Sequence, residues 1–252
     1  MLGICKLCDQ EKELKKSHAI GRTIFNKVLA STDKNVLLNI SPRKSKILST
    51  NDQWDTYQLC ADCEALFNKQ YENYSIQAIR GKYDSVQITE TRLGRSFQGL
   101  KQEKVIMYVL SIFWRAAQSN HPAYSGVTIP DELNKYLKYI FLENKDVLPN
   151  FFNVRMRAIK DEMQLISKEG LQKVLISPYV YKENKNVKYV MLFEGWYFEI
   201  FYLKPSFKER KKYGFLRNGK KVFLAPFIDF SEIPGLMRSL VHGKAITDSI
   251  VL

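Results

Sequence analysis

Every cysteine of the 252-residue chain falls in one of two equally spaced pairs, Cys5-Lys6-Leu7-Cys8 and Cys60-Ala61-Asp62-Cys63. Two thiolates separated by two residues sit on one tight turn and point at the same ion. Two such turns complete a tetrahedral Zn²⁺ shell. A closed shell of four thiolates leaves no position for a substrate, so the chemistry expected of it is structural. Two disulfides are the competing arrangement. No hydrophobic leader precedes Cys5, which argues against an oxidising compartment and for reduced thiols. Close to the pairs in sequence stand His18, Asp55 and Glu64. An imidazole titrates near neutrality and suits general-base work, and carboxylates suit hard divalent cations.

The zinc ligands confine a first module to residues 1–75. Apolar residues at Ile20, Ile24, Val28 and Leu29 have helical spacing. Residues 31–56 are largely polar and read as a loop, and a short strand over residues 57–59 leads into the second pair. Leu66, Phe67, Tyr71 and Tyr74 then mark one face of a helix that starts at or near Cys63. A knuckle, an intervening hairpin or loop, and a knuckle that opens a helix is the order of a treble clef. On such a frame His18 ends the strand after the first knuckle and Glu64 sits in the first helical turn, positions that can face one another.

Residues 76–100 carry Gly81, Gly94 and Gly99 and read as a connector. In residues 101–252 the pattern predicts a buried helix over 101–119, stopped at His121-Pro122, with Trp114 in the core followed by a solvated Arg115. A second helix has Pro130 as its first residue, and a third spans 154–168. β-branched and aromatic runs follow at 174–176, 187–193, 196–203 and 222–230, with Glu194-Gly195 as a hairpin turn and a short helix near 236–240. The expected class is α+β, an N-terminal zinc module followed by helices and an antiparallel sheet.

The pieces Cys5-x2-Cys8, Ser17-His18-Ala19-Ile20 and Gln58-Leu59-Cys60-x2-Cys63-Glu64 resemble the HNH (His-Me finger) endonucleases that carry a four-cysteine zinc. They are also similar to uncharacterised bacterial proteins with a Ser-His motif between two knuckles and Glu after the last cysteine. The resemblance covers about the first 70 residues. It implies that His18 is the general base that takes a proton from water. A Mg²⁺ or Mn²⁺ ion beside it would stabilise the phosphorane-like transition state. Three positions depart from the family. Ser17 replaces the usual Asp or His, Asp55 aligns with the usual Asn, and Glu64 replaces the final His. The carboxylates of Asp55 and Glu64 are oxygen ligands suited to either ion.

Charge is lopsided. Thirty-nine Lys and Arg against 26 Asp and Glu leave +13, of which residues 101–252 supply +9. The excess favours an anionic partner, and nucleic acid, DNA or RNA, is the expected one. Residues 204–221 hold Lys208, Arg210, Lys211, Lys212, Arg217, Lys220 and Lys221 among Phe207, Tyr213 and Phe215, with Asn218-Gly219 as a type I′ turn signal. They read as a basic hairpin that tracks phosphates and stacks on bases, or as a solvated hairpin with aromatics turned inward. A smaller cluster is Arg43, Lys44 and Lys46. The longest apolar run, residues 105–113, is too short to span a membrane, and a cytoplasmic protein without membrane attachment is expected. The functional expectation is a metal-dependent endonuclease, in anti-phage or mobile-element biology by analogy with the family. The other is a non-catalytic zinc-stabilised nucleic-acid-binding or complex-assembly protein, for which a protein partner is possible.

Overall fold

The computed structural model describes residues 1–30, 37–41, 46–50, 54–162, 164, 168–183, 186–203, 205–233 and 236. All but Leu236 of the expected helix near residues 236–240 therefore lies outside the described residues, as do Arg43 and Lys44.

Strands β1 (Leu2–Ile4) and β2 (Glu11–His18) flank the first cysteine pair, and helix α1 (Arg22–Ala30) follows. The span read as a loop contains a two-stranded ladder, β3 (Leu37–Ser41) with β4 (Lys46–Thr50), which Lys46 opens. Strand β5 (Asp55–Cys60) is longer than the three residues expected and runs into the second pair. Helix α2 (Ala61–Phe67) continues through a π-helical turn (Asn68–Glu72) into α3 (Asn73–Ile79). Within the supposed connector, β6 (Gln87–Thr91) and β7 (Gly94–Gln98) form a hairpin. Helices α4 (Gln102–Gln118) and α5 (Asp131–Leu142) come next, with Pro130 capping α5 one position before its first residue. The rest is β8 (Phe152–Lys160), α6 (Lys168–Lys173), β9 (Ile176–Glu183), β10 (Asn186–Phe193), β11 (Trp196–Tyr202), α7 (Phe207–Arg210) and β12 (Val222–Asp229). The class is α+β.

A three-stranded sheet has the order β1-β2-β5, and a seven-stranded sheet the order β6-β7-β12-β8-β11-β10-β9. The large sheet is not purely antiparallel, as expected from the runs, because β12 lies parallel to β8. Pro178 is accommodated in β9 because that strand is an edge, where a missing N–H breaks no ladder. The turn between β10 and β11 does use Glu194 and Gly195, both at positive φ (52° and 76°), as a type I′ hairpin requires.

Two expectations fail for physical reasons. The predicted helix over residues 154–168 is in fact strand β8 over residues 154–160. Met, Arg, Ala and Lys are good helix formers, but propensity is weak against tertiary context. Val154, Met156 and Ala158 face the main core while Arg155 and Arg157 point to the other side, a period of two. Residues 205–221 do not form the expected hairpin either. They make the short α7 and then pair antiparallel with β8 at Phe215, where the Met156 and Leu216 N–H groups donate to the Gly214 and Val154 carbonyls at 2.8 and 2.9 Å. Gly214 has φ +95°, and a Cβ there would lie 2.8 Å from the Met156 carbonyl oxygen. Of Asn218 and Gly219 only the glycine has positive φ (72°), so the turn is not type I′.

One apolar core joins the N-terminal residues to the sheet. It runs from Leu7, Ile24, Phe25 and Phe67 through nearly every turn of α4 to Met156, Phe193, Phe198 and Ile200. A smaller cluster on the opposite face of the sheet gathers Ile159, Tyr179, Val190, Leu192, Tyr197 and Ile228. Arg115, expected to be solvated, is instead buried on α4. Its guanidinium lies over Phe67 at 5.4 Å and 3.3 Å from the Glu72 carboxylate on the π-helical turn. Gly21 lies beside that carboxylate, and a Cβ there would fall 2.1 Å from Glu72 Oε1 and displace it from Arg115. No described helix is long and apolar enough to cross a membrane.

A second buried pair clamps the N-terminal helices to the sheet. Arg80, just past α3, donates from Nε to Glu194 Oε2 and Oε1 at 2.8 and 3.0 Å and from Nη2 to the Thr23 carbonyl. Lys27 adds a contact at 3.5 Å. Glu194 is 2% exposed and Arg80 14%, so removing Glu194 leaves the Arg80 guanidinium largely out of water without its counter-ion. Glu194→Ala is expected to lower unfolding stability by about 3 kcal/mol, read as the midpoint of urea denaturation. A shift equivalent to less than about 1 kcal/mol, the range of an exposed pair, would show that the clamp is dispensable.

Candidate metal centre and its surroundings

The two cysteine pairs meet because β1, β2 and β5 form one sheet. The first pair occupies the turn between β1 and β2, closed by Asp9 N–H to the Cys5 carbonyl and Cys5 N–H to the Gln10 carbonyl, both 2.9 Å. Asp9 takes the left-handed conformation (φ 57°) that ends the turn. Lys6 N–H donates to the Gln58 carbonyl at 2.9 Å, which ties this turn to β5. Along β2–β5, Leu14 pairs with Cys60, so the register itself delivers the second pair to the first. Cys60 caps α2, and its N–H points at Cys5 Sγ from 3.4 Å. An ion pair from Lys138 on α5 to Asp9 and another from Lys12 to Asp62 brace the two turns from outside.

The four sulfur atoms lie within 4.8 Å of one another, and Cys5, Cys60 and Cys63 are buried. Sulfurs about 2.3 Å from one tetrahedral ion stand roughly 3.8 Å apart, so the cluster needs only a small contraction to hold one zinc ion. Burial opposes ionisation of Cys5, but N–H groups of Cys8, Cys60 and Leu7 aimed at its sulfur outweigh this and bring it down to about 7. Burial pushes Cys63 strongly up, aided by the neighbouring Cys60 and Cys5 thiols. Thiols crowded in this way are stabilised as thiolates by a dication. All four cysteines are free, so the disulfide alternative has no support in the geometry.

His18, Asp55 and Glu64 lie on the same frame. His18 ends β2 and is the register partner of Asp55 at the start of β5. The ladder shifts between Lys15 and Lys16, a bulge that leaves Gln58 as an extra residue on β5. His18 is half-buried, with its ring 6.2 Å from Phe25. Phe25 in turn stacks edge-on against the buried Trp54 at 5.1 Å, so a rigid aromatic wall backs the imidazole. Asp55 is 3.5 Å from Lys16. Glu64 is in the first turn of α2, and its Oε1 is buried with no hydrogen-bond partner among the described residues. Ser17 is buried and donates to the Lys15 carbonyl at 3.3 Å, a packing role. The four thiols are the metal-binding group among the described residues; His18, Asp55 and Glu64 do not form a second one.

The basic residues expected on a hairpin are distributed over α7 and the loop after it. Lys208, Lys211, Lys212, Arg217, Lys220 and Lys221 are exposed, as are Phe207 and Tyr213, each 67% accessible. Lys211 Nζ lies 4.4 Å from the Phe207 ring, and Arg210 5.9 Å from it. The aromatics at 207 and 213 thus face solvent beside cations, whereas Phe215 packs under Arg155 at 5.7 Å. His121 caps the turn Pro122–Tyr124 by accepting the Ala123 N–H at Nδ1, a structural use.

No family model, no curated protein and no solved structure matches this chain.

Sequence patterns had pointed to every residue of the thiol cluster but to none of the buried ion pairs, whose partners are far apart in the chain. Substituting Cys60 or Cys63 by Ser is expected to abolish a one-to-one zinc content measured by elemental analysis and to lower the thermal midpoint. Chelation of the wild type should do the same. Zinc-free wild type with an unchanged midpoint would remove the metal from the fold.

Proposed function

We propose that the chain is an HNH-like endonuclease whose treble-clef module is held by a structural Zn²⁺ on Cys5, Cys8, Cys60 and Cys63. The observation that carries this reading is the register pairing of His18 with Asp55 on the ladder that also delivers Cys60 to the thiol cluster. In this reading His18 accepts the proton of the attacking water, and the aromatic wall at Phe25 fixes its ring. Asp55 and Glu64 would hold Mg²⁺ or Mn²⁺, which supplies charge stabilisation for the phosphoryl oxygens. The unpartnered buried oxygen of Glu64 is the kind of atom a cation would satisfy. Nucleic acid would be gathered by the exposed Lys208, Lys211, Arg217, Lys220 and Lys221, with Phe207 and Tyr213 as stacking surfaces.

A second reading is a zinc-stabilised nucleic-acid-binding or assembly protein without catalysis. It is favoured by the lack of a second metal-binding group formed by His18, Asp55 and Glu64 among the described residues. A cleavage assay on DNA and RNA with Mg²⁺ or Mn²⁺ separates the two. Under the nuclease reading, wild type cuts and His18→Ala at equal zinc content loses at least about 100-fold in rate, the range of general-base catalysis. Equal cutting by both proteins would retire His18 as the base. If neither cuts but both bind nucleic acid with a steep salt dependence, the second reading holds.

A further inference from the structure

The face of the seven-stranded sheet turned away from α4 carries a cavity of about 270 Å³ that the zinc module does not touch. Its floor is Glu199 on β11, with no exposed side-chain surface. Register places Arg155 directly opposite Glu199, and Arg157 opposite Tyr197. Glu199 receives Arg157 at 3.0 Å, Lys188 at 2.8 Å and Arg155 at 3.6 Å. Burial disfavours its charge, but Arg157, Lys188 and Arg155 outweigh this and hold its carboxyl below the usual range. One ionised carboxylate thus fans three cations across neighbouring strands.

The hydrogen-bonding inventory of this cavity is unbalanced. The other two lining carboxylates are already engaged. Glu209 is claimed by Arg155 at 3.2 Å and Lys212 at 2.8 Å, and Glu232 Oε1 accepts the Asp229 N–H at 3.1 Å. Two buried groups that can donate, Arg157 Nε and the Tyr197 hydroxyl, and one acceptor, Glu199 Oε2, remain without a hydrogen-bond partner among the described residues, and the acceptor is the one already neutralised by Arg157 at 3.0 Å. Tyr197 is 1% exposed and lines the cavity. Its ring lies under the Arg157 guanidinium at 5.1 Å, so the two groups share one corner of the site. Buried donors left unmade are costly, and four lining cations against three engaged carboxylates leave a surplus of positive charge.

We propose that this cavity binds a small phosphate-bearing ligand, inorganic phosphate or a phosphomonoester, through Arg157 and Tyr197. A guanidinium edge and a phenol hydroxyl are complementary to a phosphate oxygen, and a guanidinium held in place by Glu199 loses little freedom on binding. The site is separate from the proposed nuclease centre and does not depend on it.

The test is calorimetric titration of the full-length zinc-loaded protein with inorganic phosphate and, separately, with a 5′-mononucleotide. Wild type is expected to bind phosphate, with affinity falling about tenfold in Tyr197→Phe, the loss of one hydrogen bond to a charged group. Tyr197→Phe keeps the ring and the fold, so it remains informative if Arg157→Gln disturbs the Glu199 network. Tighter binding of the mononucleotide, also weakened in Tyr197→Phe, supports the site and identifies a phosphomonoester as its occupant. No heat with either ligand up to roughly 10 mM, or equal affinity in wild type, Tyr197→Phe and Arg157→Gln, would overturn the proposal.

Discussion

Helix α4 is the element around which the main core is packed. Thirteen of its seventeen residues are buried, from Gln102 to Ala116, so it has no broad solvated face. A helix apolar on nearly all sides needs cover on all sides. The helices that follow the second cysteine pair supply it on one flank through Phe67 and Tyr71, and the large sheet supplies it on another through Phe193, Phe198 and Ile200. The thiol cluster and the sheet therefore belong to one core, and a change in either is felt through α4.

Charges inside this core are used as fasteners between distant segments. Arg115 meets Glu72 across 43 residues and Arg80 meets Glu194 across 114. Buried pairs of this kind add little net stability against apolar replacements, yet losing one partner strands the other. They fix which helix face meets which hairpin. The π-helical turn that carries Glu72 aims its carboxylate at Arg115, and Gly21 leaves the room it needs.

The thiol cluster and the His18–Asp55 pair are consequences of a single antiparallel ladder. With Leu14 opposite Cys60, the partner of His18 follows from the pairing and the bulge between them. A slip by one residue would turn every side chain of β2 to the other face and separate the thiols. On the opposite side of the protein, the alternation of β8 places Arg155 and Arg157 together around Glu199, away from the apolar core.

Local chemistry in the sequence determined the cysteine spacing, the long helix of residues 101–119, the turn at Glu194-Gly195 and the aromatic strands after it. Each of these depends on neighbours a few residues apart, and periodicity or turn preference reports such neighbours directly. The strand at Phe152–Lys160, the pairing of residues 214–216 beside it and the burial of Arg115 and Arg155 were decided only by tertiary structure. Residues 154–158 read as helix formers, and carboxylates 42 to 54 positions later, Glu199 on the adjacent strand and Glu209 on α7, make their arginines stable inside a sheet. Sequence carries the affinity of a residue for its near neighbours. Burial, counter-charge and register come from segments that folding brings together.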